Sequence, residues 1–146
     1  MRLLVDEGVP VQVLEPLRRN KSHEFEHVTA VKWTGRKDVP LFMKAAQRGF
    51  EAIVSLDVDQ LVEPTEWKAL RASNLHHISL RQGRTVTGRT GVARVLASLI
   101  VSMPYVLSDL TEAGSQRIVE ISLLSATARH ESFDPRRAHA KYPYWR

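Results

Sequence analysis

Acidic residues stand at the ends of short apolar runs in this chain. Asp6 and Glu7 follow Leu3-Leu4-Val5, and Asp57 and Asp59 follow Ala52-Ile53-Val54-Ser55-Leu56. Asp38 precedes a third apolar group, Leu41, Phe42, Ala45 and Ala46. Carboxylates gathered at one place repel, and they stay ionised together at neutral pH only when a cation lies between them. Oxygen donors without cysteine or spaced histidine suit Mg²⁺ or Mn²⁺. Such an ion lowers the pKa of a bound water and neutralises charge on a phosphorane, the chemistry of phosphodiester hydrolysis.

Each acid also has a plain structural explanation. Asp38 stands where a helix cap would stand. Glu7 reads as a solvated loop acid and Asp59 as a turn residue. Asp6 and Asp57 resist that treatment, because an acid directly after a buried strand lies at an edge that packing would make apolar.

The elements that must position these acids follow from the hydropathy pattern. Runs at 2–5, 25–28, 51–55, 75–80 and 117–123 read as strands. A helix opens at Gly8-Val9-Pro10, with Pro16 predicting a kink or a tightened second half. A second helix runs from Asp38 to Gly49 and a third over 64–72. Residues 82–91 read as a loop. A strongly apolar helix spans 92–101, ended or kinked at Pro104, with helical continuation to Gly114. Such a helix is either central in a core or buried between subunits. Strands alternating with helices imply an α/β fold with a mainly parallel five-stranded sheet, whose working residues gather outside the carboxyl ends of the strands. That rule places the acids on one rim.

The 146 residues suit one domain, read as 1–125, followed by a tail, 126–146, rich in Arg and aromatic residues. The tail is a frayed terminus or a contact for RNA, a neighbouring subunit or a protein partner. There is no apolar run of 18 residues and no leader pattern. The chain has no Cys, which excludes thiolate chemistry and disulfides and suits the cytoplasm. Residues 1–73 hold 11 basic and 11 acidic side chains, whereas 74–146 hold 10 and 5. No acid lies between Glu66 and Asp109, a stretch that carries Arg81, Arg84, Arg89 and Arg94. A solvated face explains such a run, but beside an acidic cluster it also fits a polyanion, because guanidinium matches phosphate. His76 and His77 are adjacent on a strand, point to opposite faces and cannot chelate one ion together. Trp33 and Trp67 read as core or loop anchors.

The segments MRLLVDEGVP, TGRKDVPLFMKAA and IVSLDVD, in that order, resemble small PIN-like domains, found as toxin components of toxin–antitoxin loci and in related families. The resemblance covers about residues 1–80. It implies a three-layer α/β/α sandwich and a Mg²⁺- or Mn²⁺-dependent ribonuclease, the toxin of a type II pair with a cognate antitoxin and a possible homodimer. It makes Asp6 and Asp57 direct metal ligands, and Asp38 and Asp59 ligands directly or through water. Ser55 and Glu7 support them, and Arg81, Arg84 and Arg89 hold RNA phosphates. Gln60 departs from the Phe that often follows the acidic pair. Two other readings compete. A receiver-like phosphoacceptor domain would use Asp6-Glu7, Asp57 and Ser79, but it needs a Lys after the fifth strand and residues 117–140 contain none. A catalytically silent PIN-like module would bind RNA or protein without turnover.

Overall fold

The computed structural model describes residues 1–57, 61–81 and 88–124. Five strands form one sheet: β1 (Arg2–Val5), β2 (Glu24–His27), β3 (Ala52–Ser55), β4 (His76–Leu80) and β5 (Ile118–Ile121). Their order is β2-β1-β3-β4-β5 and every pairing is parallel. Parallel strands require crossovers, and these are α1 (Leu14–Arg18), α2 (Asp38–Gln47), α3 (Pro64–Ser73) and α4 (Gly88–Glu112). The chain order reverses between β1 and β3, so the crevice of such a fold opens where Asp6 and Asp57 leave the sheet.

β1 and β3 read as continuous apolar runs because both their faces are covered. Leu3, Val5, Ala52, Val54 and Ile78 join α1 and α4 in one buried cluster. Leu4 and Ile53 join Leu41, Phe42 and Ala45 of α2 and Leu70 of α3 in the other. The molecule is therefore a three-layer α/β/α sandwich.

Some boundaries differ from the sequence expectation, each for a local reason. Pro16 does not tighten the second half of the first helix. A 3-10 turn over Val11–Val13 precedes α1, and α1 begins at Leu14, which puts Pro16 in its first turn. There a missing N–H breaks no helical bond. Asp38 does not cap α2. Lys37 occupies the cap position without a side-chain bond, and Asp38 is the first helical residue. Gly88–Gly91, expected in a loop, open α4.

Pro104 neither ends nor splits α4, which runs unbroken through it. Both Pro104 and Ile100 are solvent-exposed, so the carbonyl that loses its donor faces water. At 25 residues, with a mean hydropathy of 1.6 over its most apolar window, α4 is long and apolar enough to cross a membrane. One row of α4, including Val95, Leu99, Met103 and Val106, is packed into the core.

Candidate acidic site at the carboxyl edge of the sheet

Asp6 is the first residue past β1. Its backbone N–H continues the ladder by donating to the Val54 carbonyl at 2.9 Å. Two residues beyond Leu4, it projects on the α2 and α3 side of the sheet. One carboxylate oxygen accepts the Glu7 N–H at 2.8 Å and the other accepts the Ser55 hydroxyl at 3.2 Å. The Ser55 oxygen in turn accepts the Asp57 N–H at 3.0 Å. Ser55 is fully buried, so this hydroxyl is a fixed bridge between the ends of β1 and β3.

Asp38 reaches the same place from the first turn of α2. Its carboxyl is pushed up to about 6 from an ordinary 3.8, first by burial, then by the negative charges of Glu66, Asp6 and Asp57, and by a hydrogen bond with Glu66. Four acids from four separate segments therefore share one electrostatic environment. Glu66, on the first turn of α3, has no counterpart among the sequence-derived candidates. The sequence offered one signal for it: an acid three residues into a helix that begins with Pro64 and follows the third strand. Only the packing of α3 against α2 turns it towards Asp38.

The other candidates divide. Glu7 accepts the Gly35 N–H at 2.9 Å and so holds the loop that leads into α2. Gly35 has φ +75°, a conformation that suits glycine. Arg81, just past β4, pairs with Glu120 of β5 at 3.1 Å with both side chains exposed. Arg89 is exposed at the start of α4. Asp59 and Arg84 lie outside the described residues, as does the tail. A cleft of about 210 Å³ lies behind the rim, lined by Gly8, Pro10, Leu56, Gly91, Val92 and Val95 among others.

The paired histidines separate as adjacent strand residues must. His77 is fully buried, with its ring edge-on to Phe42 at 6.4 Å, and burial pushes its pKa down to about 4 against the raising effect of Asp57. It is a neutral imidazole at pH 7. His76 is half-buried and accepts the Arg117 N–H at 3.0 Å. Trp33 is core, whereas Trp67 is exposed.

Among the described residues, no group of three or more acids and histidines is spaced to hold a metal ion. The donor chemistry fits one nonetheless. Every donor is an oxygen, and burial together with their mutual repulsion raises the affinity of Asp38 for a proton. A divalent cation relieves the same repulsion more completely.

That competition makes a prediction. In chelator, the folded chain binds a proton at Asp38 that the unfolded chain, titrating near 3.8, releases. Stability contributed by this carboxyl is present below that value and is lost as pH rises through about 6. Urea midpoints in chelator should fall over this range. Asp38→Asn should flatten the trend, and added Mg²⁺ or Mn²⁺ should oppose it. An unchanged slope in Asp38→Asn would show that Asp38 is not the group responsible.

The chain is thus a parallel α/β/α sandwich with acids at its switch point. The family profile described as PIN like domain matches residues 1–82, and the chain belongs to this family. PIN-like domains are generally nucleases and typically use divalent metal ions. No curated protein matches the chain, and no solved structure does.

Proposed function

We propose that this protein is a metal-dependent ribonuclease that hydrolyses RNA phosphodiesters. One arrangement carries the reading: Asp6, Asp57 and Glu66 surround a partly buried Asp38 at the carboxyl edge of a PIN-like sheet, and their charges add to burial in favouring its protonated form. Asp6 and Asp57 would hold Mg²⁺ or Mn²⁺ directly. Asp38 and Asp59 would bind it directly or through water, and Glu66 would join Asp38 in orienting the attacking water. The bound ion supplies an activated water and charge neutralisation at the phosphorus.

The chain's own groups do the rest. The Ser55 hydroxyl keeps the Asp6 carboxylate and the Asp57 backbone in register. The Glu7 bond to Gly35 steadies the loop that delivers Asp38. Arg89 is placed to contact RNA phosphates, and Arg81 joins it by exchanging its exposed partner Glu120, a pairing of small net value. Arg84 completes this basic set in the proposal.

Family likeness supports a finer assignment, the toxin of a type II toxin–antitoxin pair, acting in the cytoplasm against RNA and held by a cognate antitoxin protein. A second reading, a silent PIN-like binding module, is favoured by the absence of ready ion-holding spacing among the described acids. Incubation of the purified chain with a mixed RNA pool separates the two. Cleavage that requires Mn²⁺ or Mg²⁺ and stops with chelator supports the nuclease. RNA binding without cleavage under the same conditions supports the module.

A further inference from the structure

Gly8 is a glycine that neither the backbone nor the packing around it calls for. It sits in the turn after β1, which the Val9 N–H closes by donating to the Asp6 carbonyl at 3.0 Å. Its φ lies outside the left-handed region, so an L side chain can adopt its conformation. A Cβ at this position would meet nothing within 4 Å, so crowding does not explain the glycine either. What the missing side chain does is leave open the cleft of about 210 Å³ that Gly8 lines with Pro10, Leu56 and Val92.

The walls of this cleft are apolar and open to solvent. Val92 is 47% exposed, and Pro10 and Leu56 are half-buried. The volume is below the roughly 300–1,000 Å³ of pockets that take drug-sized molecules, so it suits one flat ring rather than a helix or a folded partner. Its surroundings are cationic: Arg89 is exposed on the first turn of α4, a turn with no acid. An apolar ring carried on an anionic backbone matches that combination.

Position decides which ring. Gly8 stands two residues past Asp6, and Leu56 immediately precedes Asp57. Asp6 projects on the α2 and α3 side of the sheet, whereas Leu56 packs against the buried cluster under α1 and α4. The ends of β1 and β3 thus form a crest, with acid on one slope and the apolar cleft on the other. In an extended RNA strand the bases and the phosphates leave the ribose chain on different sides. A strand laid across the crest with a phosphate at the acids turns the base of an adjoining nucleotide into the cleft. Unstacked bases held between apolar side chains are a recurring mode of recognition. Resting on the ribonuclease reading above, we infer that the cleft is the pocket for the base next to the scissile phosphodiester, and that Gly8 and Val92 determine which bases fit.

Two variants close the pocket from exposed positions, so both should keep the parent's circular dichroism spectrum. Gly8→Leu fills it, and Val92→Glu puts a charge on its wall. Binding is read by fluorescence anisotropy in Ca²⁺, which carboxylate oxygens hold, with a labelled single-stranded RNA and with the same strand stripped of its bases. The parent should prefer the RNA by at least about tenfold, the lower part of what one stacked base contributes. Each variant should lose that preference. Cleavage in Mn²⁺ is the second readout: one abasic nucleotide, moved stepwise along an RNA, should slow the parent by about tenfold at a position beside the cut and should slow neither variant further. Base-dependent binding that the variants lose, from a chain that cleaves no RNA, would sink the ribonuclease reading and keep the pocket. A parent that binds both strands alike, or an abasic penalty that the folded variants retain, would overturn the pocket whether or not the chain cleaves, and would leave the cleft to residues 125–146 or to a side chain of a protein partner. The parent's own response to the abasic strand decides even where a variant fails to fold.

Discussion

Asp6→Asn and Asp57→Asn should each lower metal-dependent RNA cleavage by at least about 10²-fold, the size of effect seen when a group acting on developing charge or on a transferred proton is removed. Asparagine matches aspartate in shape and still accepts hydrogen bonds. At position 6 its carbonyl oxygen can accept the Glu7 N–H, while its NH2, standing where the second carboxylate oxygen accepts the Ser55 hydroxyl, would donate to the Ser55 oxygen once that hydroxyl turns away. What changes is the charge. The fold should therefore persist, and in chelator each variant should be as stable as the parent or slightly more so, because one of the charges that burden Asp38 is gone. Divalent ion should raise the parent's melting temperature, by mass action on the folded state, and should raise either variant's less. Cleavage rate and melting curves with and without Mn²⁺ make the test. Parent-like cleavage by both variants would remove Asp6 and Asp57 from the proposed chemistry. Loss of cleavage with a collapsed melting curve would mean only that the fold had failed, which the chelator measurement distinguishes.

The largest effect on stability should come from Phe42→Ala. Phe42 is fully buried in the cluster that joins α2 and α3 to Leu4 and Ile53, with its ring edge-on to His77. Removing a buried phenylalanine costs about 3–5 kcal/mol, the transfer term plus the cavity left behind. Against a total of roughly 5–15 kcal/mol this is a large fraction, and it corresponds to a fall in melting temperature of about 6–20 °C. The neighbouring Met43, 40% exposed, gives the control: Met43→Ala should stay within about 0.5 kcal/mol. The comparison also tests how the site is held. Phe42 lies one turn beyond Asp38 on α2, so a cavity beneath it loosens the helix that delivers that carboxyl. In Phe42→Ala the pH dependence attributed to Asp38 should weaken along with stability. Equal costs for the two substitutions would show that α2 is not anchored through Phe42.

The sheet and its parallel sense were legible in the amino-acid pattern because buried strands declare themselves. Leu3-Leu4-Val5 and Ala52-Ile53-Val54 are covered on both faces and admit no polar alternation. The acids that end them were legible for the complementary reason, since a carboxylate beside such a run cannot serve packing. Capping and proline rules were less decisive. They marked Asp38 as the cap before its helix and Pro104 as an end or a kink, yet Asp38 is the first helical residue and turns towards other acids, while Pro104 sits inside α4 facing water. Local chemistry ranks options, and the surroundings choose among them.

Glu66 lies at the limit of what a sequence can reveal. Its residue type and its place in a first helical turn are ordinary, and nothing nearby in the chain separates it from Glu63 or Glu15. It becomes notable because α3 packs against α2 and brings two carboxyl groups, distant in the chain, within hydrogen-bonding reach in a partly dry place. The exposed row of α4 is similar: hydropathy made the helix look buried all round, and only the packed structure separated the row that meets the sheet from the row that faces solvent. Residue types and their periodicity determined the strands, the layers and the supply of acids. Which acids meet, which charges find partners and which apolar face stays open were decided by tertiary packing, because Coulomb interactions and burial depend on distances through space that positions along the chain do not encode.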